Sequence, residues 1–230
     1  MRVLTYNIAG HRGRGRAGYT DRVAELIRRV SPDVVGLQEV EHAPEAESPA
    51  ETLARLTGMH AAFTPAHRAR KRILGNLILS REPITSLEAH PLPWRFPEPR
   101  ILMEAETSYQ GRTVVVFNTH LVHLSAAGAL IRRRQAAEVA FRMLRCGHSY
   151  VLTGDLNAPP GARELHPVRK AAAHHDHRGG VRSWPARRPI ARFDHIWPGR
   201  DWEVAHVRAL ESHVSDHRPV LAHLRWRGYR

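Results

Sequence analysis

Two polar side chains stand two residues apart at the end of an apolar run. Tyr150-Val151-Leu152-Thr153 gives way to Gly154-Asp155-Leu156-Asn157, then to Ala158-Pro159-Pro160. A β-branched apolar stretch stopping at a glycine reads as a buried strand, and the spacing of two puts Asp155 and Asn157 on one face at its end. A carboxylate there can hold a metal or activate water, and an amide can donate to a phosphoryl oxygen without adding charge. Taken alone, the same residues read equally well as a turn ahead of prolines.

The pattern recurs. Thr5-Tyr6-Asn7 ends one apolar run, Gln38-Glu39 a second, Asn118-Thr119-His120 a third and Phe193-Asp194-His195 a fourth, while Ser215-Asp216-His217 precedes the last. If these ends converge, the site holds Asn7, Glu39, His120, Asp155, Asn157, Asp194, Asp216 and His217. An oxygen-rich set with imidazoles and no cysteine suits a hard cation, Mg²⁺ first and Mn²⁺ next, with room for water and a substrate phosphate. The chemistry is metal-assisted phosphoryl chemistry. A carboxylate beside apolar surface, as at Glu39, needs a partner, and a metal is the simplest one. Plainer readings stand beside these: Asn7 bonding turn backbone, Asp194 as a structural acceptor, His120 as a satisfied strand-end histidine. Alternation puts His195 opposite Asp194, so His195, like His123, is expected to point elsewhere. Gly75-Asn76 reads as a bulge under the site.

The elements that must position these residues follow from periodicity. Val3–Asn7 reads as a strand, residues 12–18 as a Gly/Arg-rich loop, and Val23, Leu26, Ile27 and Val30 as the apolar face of a helix capped by Thr20 or Asp21 and stopped by Ser31-Pro32-Asp33. Val34–Leu37 is an apolar strand ending at Gln38-Glu39, Glu51–Thr57 a short helix closed by Gly58, and Ile73–Ser80 a strand. Pro91, Pro93, Pro97 and Pro99 exclude regular structure over about 90–99. Ile101–Thr107 and Thr113–Asn118 flank Gln110-Gly111 as a hairpin. Ala126–Arg145 is the longest helical pattern, with Leu130, Ile131, Val139, Ala140, Met143 and Leu144 as its apolar face. Residues 161–190 show no clear period. Strands resume at Phe193–Trp197, Glu203–Leu210 and Pro219–Trp226, and no internal repeat is present. Hairpins mixed with strand-helix-strand units predict an α/β or α+β fold with mixed sheets.

Composition sets bounds on partners. The 230 residues suit one domain with a substantial core. Lys plus Arg number 35 against 22 Asp plus Glu, a formal charge of +13, and all the cations but Lys71 and Lys170 are arginine. Arginine's planar fork favours phosphate, and the balance favours a polyanion. Cys146 stands alone, which permits no internal disulfide or cysteine-based zinc site, and it reads as packing. Arg132-Arg133-Arg134 reads as a solvated helix face or a nucleic-acid groove, and His174-His175-Asp176-His177 as solvated surface rather than a zinc site. No signal peptide or membrane span is visible, so a cytoplasmic location is expected.

The ordered set Thr5-Tyr6-Asn7, Leu37-Gln38-Glu39, Gly75-Asn76, Asn118-Thr119-His120-Leu121, Gly154-Asp155-Leu156-Asn157, Asp194-His195-Ile196 and Ser215-Asp216-His217 resembles the endonuclease/exonuclease/phosphatase superfamily, the deoxyribonuclease I-like metal-dependent phosphoesterases, over nearly the whole chain. The resemblance implies a four-layered sandwich of two mixed β-sheets flanked by helices, one domain over 1–230. It implies Glu39 as principal metal ligand with Asn7 and Asp216 nearby. Asp155 would orient or deprotonate the attacking water, Asn157 would hold that water or a phosphoryl oxygen, and His217, supported by Asp194, would bind the scissile phosphate. His120 would be a second phosphate contact or a proton donor to the leaving oxygen, and Arg100 a phosphate contact. The expectation is a Mg²⁺- or Mn²⁺-dependent phosphodiesterase acting on nucleic acid as a monomer. A lipid or small-molecule phosphoesterase is the alternative, although no basic amphipathic helix with exposed Trp is visible, and a non-catalytic nucleic-acid-binding module is a third reading.

Overall fold

The computed structural model describes residues 1–10, 18–43, 47–69, 72–94, 98–123, 126–172 and 181–228. Most of the Gly/Arg-rich loop and the His174–His177 cluster lie outside the described residues. Eleven strands among them form two sheets. The first runs in the order β10 (Trp202–Ala209), β11 (Val220–Trp226), β1 (Arg2–Asn7), β2 (Val34–His42), β4 (Arg72–Ser80), β3 (His60–Ala69). The second runs β5 (Ser86–Pro91), β6 (Ile101–Tyr109), β7 (Arg112–His120), β8 (Ser149–Asp155), β9 (Asp194–Pro198). Both are mixed: β1 pairs β2 and β7 pairs β8 in parallel, and the other pairs are antiparallel.

Each central strand is buried on both faces, and its alternation sorts residues into two layers of core. Val3, Val34, Ile78, Met103, Val114, Val116, Val151 and Ile196 fill the space between the sheets. Leu4, Tyr6, Leu37, Leu77 and Leu79 face outward against helices α1 (Tyr19–Val30) and α2 (Pro49–Thr57). Phe117, Leu152 and Trp197 face the other way, against α3 (Ala126–Arg145) and the short α4 (His166–Ala171). The result is the four-layered, deoxyribonuclease I-like sandwich. Gln110 and Gly111 both adopt positive φ, 51° and 77°, as a two-residue hairpin turn requires.

Several expectations are corrected. Strands β3 and β5 escaped the sequence reading because both lie at sheet edges, where Pro65 and the polar Ser86, Glu88 and His90 are tolerated; β5 also carries regular structure to Pro91, inside the proline-rich stretch. Helix α1 starts at Tyr19 behind Gly18 and has no side-chain cap, so Asp21 sits in its first turn, where a negative charge suits the helix dipole. The segment after Asn157 holds a 3₁₀ turn, Arg163–Leu165, and α4. In α3, Ile131, Val139, Ala140 and Met143 are buried as expected, but Leu130 and Leu144 are 70% and 67% exposed. Helical geometry explains this, because Ala136, Val139 and Met143 define the inner line and 130 and 144 fall on the opposite side.

Candidate active site

Alternation carries the site residues to one edge of the sandwich. In β1, Val3, Thr5 and Asn7 face the space between the sheets; in β8, Val151, Thr153 and Asp155 do so; in β7, Val116, Asn118 and His120; in β9, Asp194 and Ile196. At the ends of these strands the inward residues turn from aliphatic to polar.

Glu39 reaches the same edge by an exception. Val35 and Leu37 point outward, so strict alternation would send Glu39 outward too. The β2–β4 register instead shifts between Leu37 and Val40, which pair with Leu77 and Gly75, so Gln38 and Glu39 together oppose Asn76. One extra residue in β2, with Glu39 at φ 53°, turns Glu39 inward beside Gln38 and returns Val40 to the outer core. The strand therefore does not end at Gln38-Glu39 but bulges there and continues to His42.

The acids are linked by amides. Asn7 Nδ2 donates to Glu39 Oε1 at 3.0 Å and to Asp155 Oδ2 at 2.9 Å, while its Oδ1 accepts from the Ala9 amide. Asp155 Oδ1 accepts from the backbone amide of Asn157 at 2.9 Å. Burial raises the Asp155 carboxyl above the ordinary range, with the Asp194 charge adding to it and His217, Asn7 and Asn157 opposing it. His217 Nδ1 lies 2.9 Å from Asp194 Oδ2, and its Nε2 faces Asp155 Oδ2 at 3.7 Å. Burial by itself would lower this imidazole, but the charge and hydrogen bond of Asp194, followed by the charges of Asp155 and Asp216, outweigh it and raise it. An imidazolium held by one acid and facing another is the arrangement that results.

His120 is held from its far side. Arg100 Nη1 lies 2.9 Å from His120 Nδ1 and the Asn157 side-chain amide nitrogen lies 3.0 Å from His120 Nε2, so a donor faces each ring nitrogen. His120 Nε2 also faces Asp155 Oδ2 at 3.6 Å, and the same Asn157 amide nitrogen donates to Leu121 O at 3.0 Å. Arg100 also donates to Glu98 at 2.7 Å, and its Nε is buried without a protein acceptor among the described residues.

These residues line a cleft of about 670 Å³. Glu39, Asp155, Asp216, His217, Asn157, His120 and Arg100 all face it, so the structure brings together every expected site residue except Asn7 and Asp194, which stand just behind as partners of Asp155 and His217. His195 points away as alternation requires: it is buried, bonds Ala158 O at 2.9 Å, and burial followed by the Arg192 charge lowers it to about 3. His123, in contrast, lines the cleft. The wall includes Trp184 and Phe193, whose rings lie 5.6 Å apart at 33°.

A polar clamp that the motifs do not declare lies beneath the site. Asn118 Nδ2 crosses from the second sheet to bond Leu37 O and Leu77 O of the first at 2.9 and 3.0 Å, and its Oδ1 accepts from Gln38 Nε2 at 2.7 Å and Thr153 Oγ1 at 3.3 Å. Amides buried at the meeting of two sheets were the available signal, in the tripeptides holding Gln38 and Asn118.

The donor chemistry fits a divalent cation. Three carboxylates, Glu39, Asp155 and Asp216, share one cleft with amides and no sulfur, a hard-oxygen set whose mutual repulsion a cation relieves. Asp155, Asp194 and His217 also offer ligand atoms within 4.8 Å of one another, but His217 already supplies positive charge there.

Acids, amides and an acid-supported imidazole at one edge of a two-sheet sandwich define a class, the metal-dependent hydrolases of phosphoric esters. The model of the Endonuclease/Exonuclease/phosphatase family matches residues 4–217, and the chain belongs to that family. Comparison with curated proteins returned no match. Among solved structures, an endonuclease/exonuclease/phosphatase from Beutenbergia cavernae superposes with a TM-score of 0.80 at 22% identity, covering 98% of this chain and 71% of that one. A mannosyl-6-phosphatase from Bacteroides thetaiotaomicron gives 0.79 at 16% identity, with 98% and 100% covered. The human Nocturnin catalytic domain with bound sulfate gives 0.76 at 17%, with 99% and 94% covered.

Proposed function

We propose that this hydrolase is a phosphodiesterase acting on nucleic acid, cleaving by in-line attack of an activated water. The observation that carries the reading is the convergence of Asp155, Asn157 and the Asp194-supported His217 on one cleft in a chain of charge +13. Asp155, its basicity raised by burial, orients the water and takes its proton. Asn157 holds a phosphoryl oxygen or that water, and His217 carries positive charge to the scissile phosphate. His120, set between Arg100 and Asn157, contacts the phosphate or protonates the leaving oxygen. Arg100 is a further phosphate contact. Glu39 and Asp216, with the Asn7 amide, would hold Mg²⁺ or Mn²⁺, which when bound neutralises charge developing on the phosphoryl oxygens.

Nucleic acid is favoured by the Trp184–Phe193 wall, which offers a face on which a base can stack beside the phosphate site. No helix among the described residues is long and apolar enough to cross a membrane. The reading takes the chain as one domain over 1–230, working as a cytoplasmic monomer.

The test is a substrate panel of plasmid and oligonucleotide DNA, RNA, sphingomyelin and nitrophenyl mono- and diesters, each assayed with Mg²⁺, Mn²⁺ and Ca²⁺. Metal-dependent cleavage of nucleic acid is expected, abolished in Asp155→Ala. Turnover of lipid or of monoesters alone would overturn the substrate assignment, and activity that survives chelation would overturn the metal role.

A further inference from the structure

Helix α3 is apolar on two faces. Its inner face, Ala136, Val139, Ala140 and Met143, packs on the second sheet. Its outer face carries Leu130, Ala137, Phe141 and Leu144, which at spacings of seven, four and three fall on one line along the helix. Leu130, Phe141 and Leu144 are 70%, 49% and 67% exposed. They make up half of the exposed large hydrophobic residues among those described, gathered on one ridge about 20 Å long. A helix that covers a sheet needs only one apolar face, so the outer ridge answers to something outside the chain.

The charges beside the ridge say what. Arg133 flanks it on one side and Arg134 and Arg145 on the other; all three are exposed and make no ion pair among the described residues. The Arg142 and Arg145 guanidinium groups lie over the Phe141 ring at 5.9 and 5.4 Å, so aromatic and cation present themselves together. Glu138, the helix's one acid, is paired with Arg142 at 3.2 Å. An occupant must therefore be anionic at its surface and hydrocarbon beneath. A second copy would bring its own arginines and +13 charge against these. Nucleic acid would satisfy the arginines and leave Leu130 and Leu144 in water.

We infer that the outer face of α3 docks the protein on anionic lipid bilayers, the helix lying in the interface plane with Leu130, Phe141 and Leu144 inserted and Arg133, Arg134 and Arg145 at the headgroups. The anchors are leucine and phenylalanine rather than tryptophan, and half of the ridge was assigned by sequence to the inner face. Docking is independent of which ester the cleft hydrolyses.

Cosedimentation of the full chain with vesicles tests this. Vesicles of phosphatidylcholine with one-third phosphatidylglycerol are expected to bind the protein, pure phosphatidylcholine far more weakly. Arg133→Gln/Arg134→Gln/Arg145→Gln should lower binding on the order of a hundredfold, about fivefold for each charge. Leu130→Ser/Phe141→Ser/Leu144→Ser should lower it at least ~10-fold, with circular dichroism unchanged because these side chains are exposed. Arg187→Gln/Arg188→Gln, which removes exposed charge elsewhere, should stay within about threefold of the parent. The inference is overturned if vesicle binding is absent, if it survives the triple serine variant, or if the Arg187/Arg188 variant loses as much as the Arg133/Arg134/Arg145 variant. It also fails if the ridge instead mediates a concentration-dependent dimer, or salt-sensitive oligonucleotide binding indifferent to the serine substitutions, without vesicle binding.

Discussion

Replacing Asp194 by asparagine isolates the charge that supports His217. The substitution keeps the shape of a fully buried side chain and a hydrogen bond at the 2.9 Å contact with Nδ1, but removes the negative charge. Without that charge, the burial that lowers the imidazole is opposed only by the charges of Asp155 and Asp216, and its affinity for a proton falls from well above the ordinary range toward it. At neutral pH the ring is then largely neutral where the scissile phosphate needs a cation. Losing one charged donor aimed at developing negative charge costs about 3–4 kcal/mol, a fall in kcat of roughly 10²–10³-fold. Stability should fall by about 2–3 kcal/mol, the scale of a hydrogen bond to a charged group, because the ring escapes a larger penalty by releasing its proton. A histidine raised on folding stabilises fully below its unfolded value near 6.5, and that contribution is lost as pH rises through the folded value. The difference in Tm between parent and Asp194→Asn should therefore be largest near pH 6 and shrink on the alkaline side, while the alkaline limb of the kcat profile moves to lower pH in the variant. Steady-state rates against pH and calorimetric Tm measure both. If Asp194→Asn keeps kcat within about threefold and its alkaline limb does not move, the reasoning about charge is wrong and Asp194 is only a spacer.

Three further outcomes follow from named contacts. A Cβ on Gly36 would overlap Thr153 Oγ1, so Gly36→Ala should cost about 1–3 kcal/mol in chemical denaturation, with part regained in Gly36→Ala/Thr153→Ala; equal loss in both would place the strain elsewhere. His195, lowered to about 3 and buried neutral, adds stability above its unfolded value of about 6.5 that is lost as pH falls toward 3, with a slope of up to about 1.4 kcal/mol per pH unit; denaturation between pH 7 and 4 should show this slope, and His195→Gln should flatten it. Trp184→Ala should raise KM for an oligonucleotide by roughly 10-fold, the cost of one stacked base, while leaving KM for a nitrophenyl diester within about threefold, and equal changes for both would remove the stacking role.

Most of the fold was legible because the central strands are long, apolar and bounded by turn residues, and because α3 is long and periodic. What was hidden was hidden for physical reasons. Strands β3 and β5 sit at sheet edges, where pairing on one side only lets Pro65, His67 and Glu88 stand in strand positions that composition argues against. The two faces of α3 are both apolar, so periodicity by itself cannot say that Leu130 lies outside and Val139 inside. In the site, parity along the strand placed Asp155 and Asp194 and turned His195 away. Glu39 broke parity, because a bulge is set by the partner strand, and nothing local in Gln38-Glu39 declares that Asn76 will face both. Asn118 was legible as part of a motif but not as a clamp, since its partners are carbonyls 41 and 81 residues away.

That clamp bears on catalysis, not only on stability. The cleft is assembled from both sheets: Asn7 and Glu39 come from the first, His120, Asp155 and Asp194 from the second, and the bond from Asn7 to Asp155 crosses between them. The separation of the sheets therefore fixes the distance between the acids proposed to hold the cation and the acid proposed to handle water. Aliphatic packing between Val34, Val116 and Val151 tolerates shifts of several tenths of an ångström, whereas Asn118, with two donated and two accepted bonds to β2, β4 and β8, does not. A buried amide at this point is costly if any partner is lost, and the cost is what makes the spacing definite. The polar clamp under the cleft is thus the means by which a core held by non-directional forces positions a site that demands directional ones.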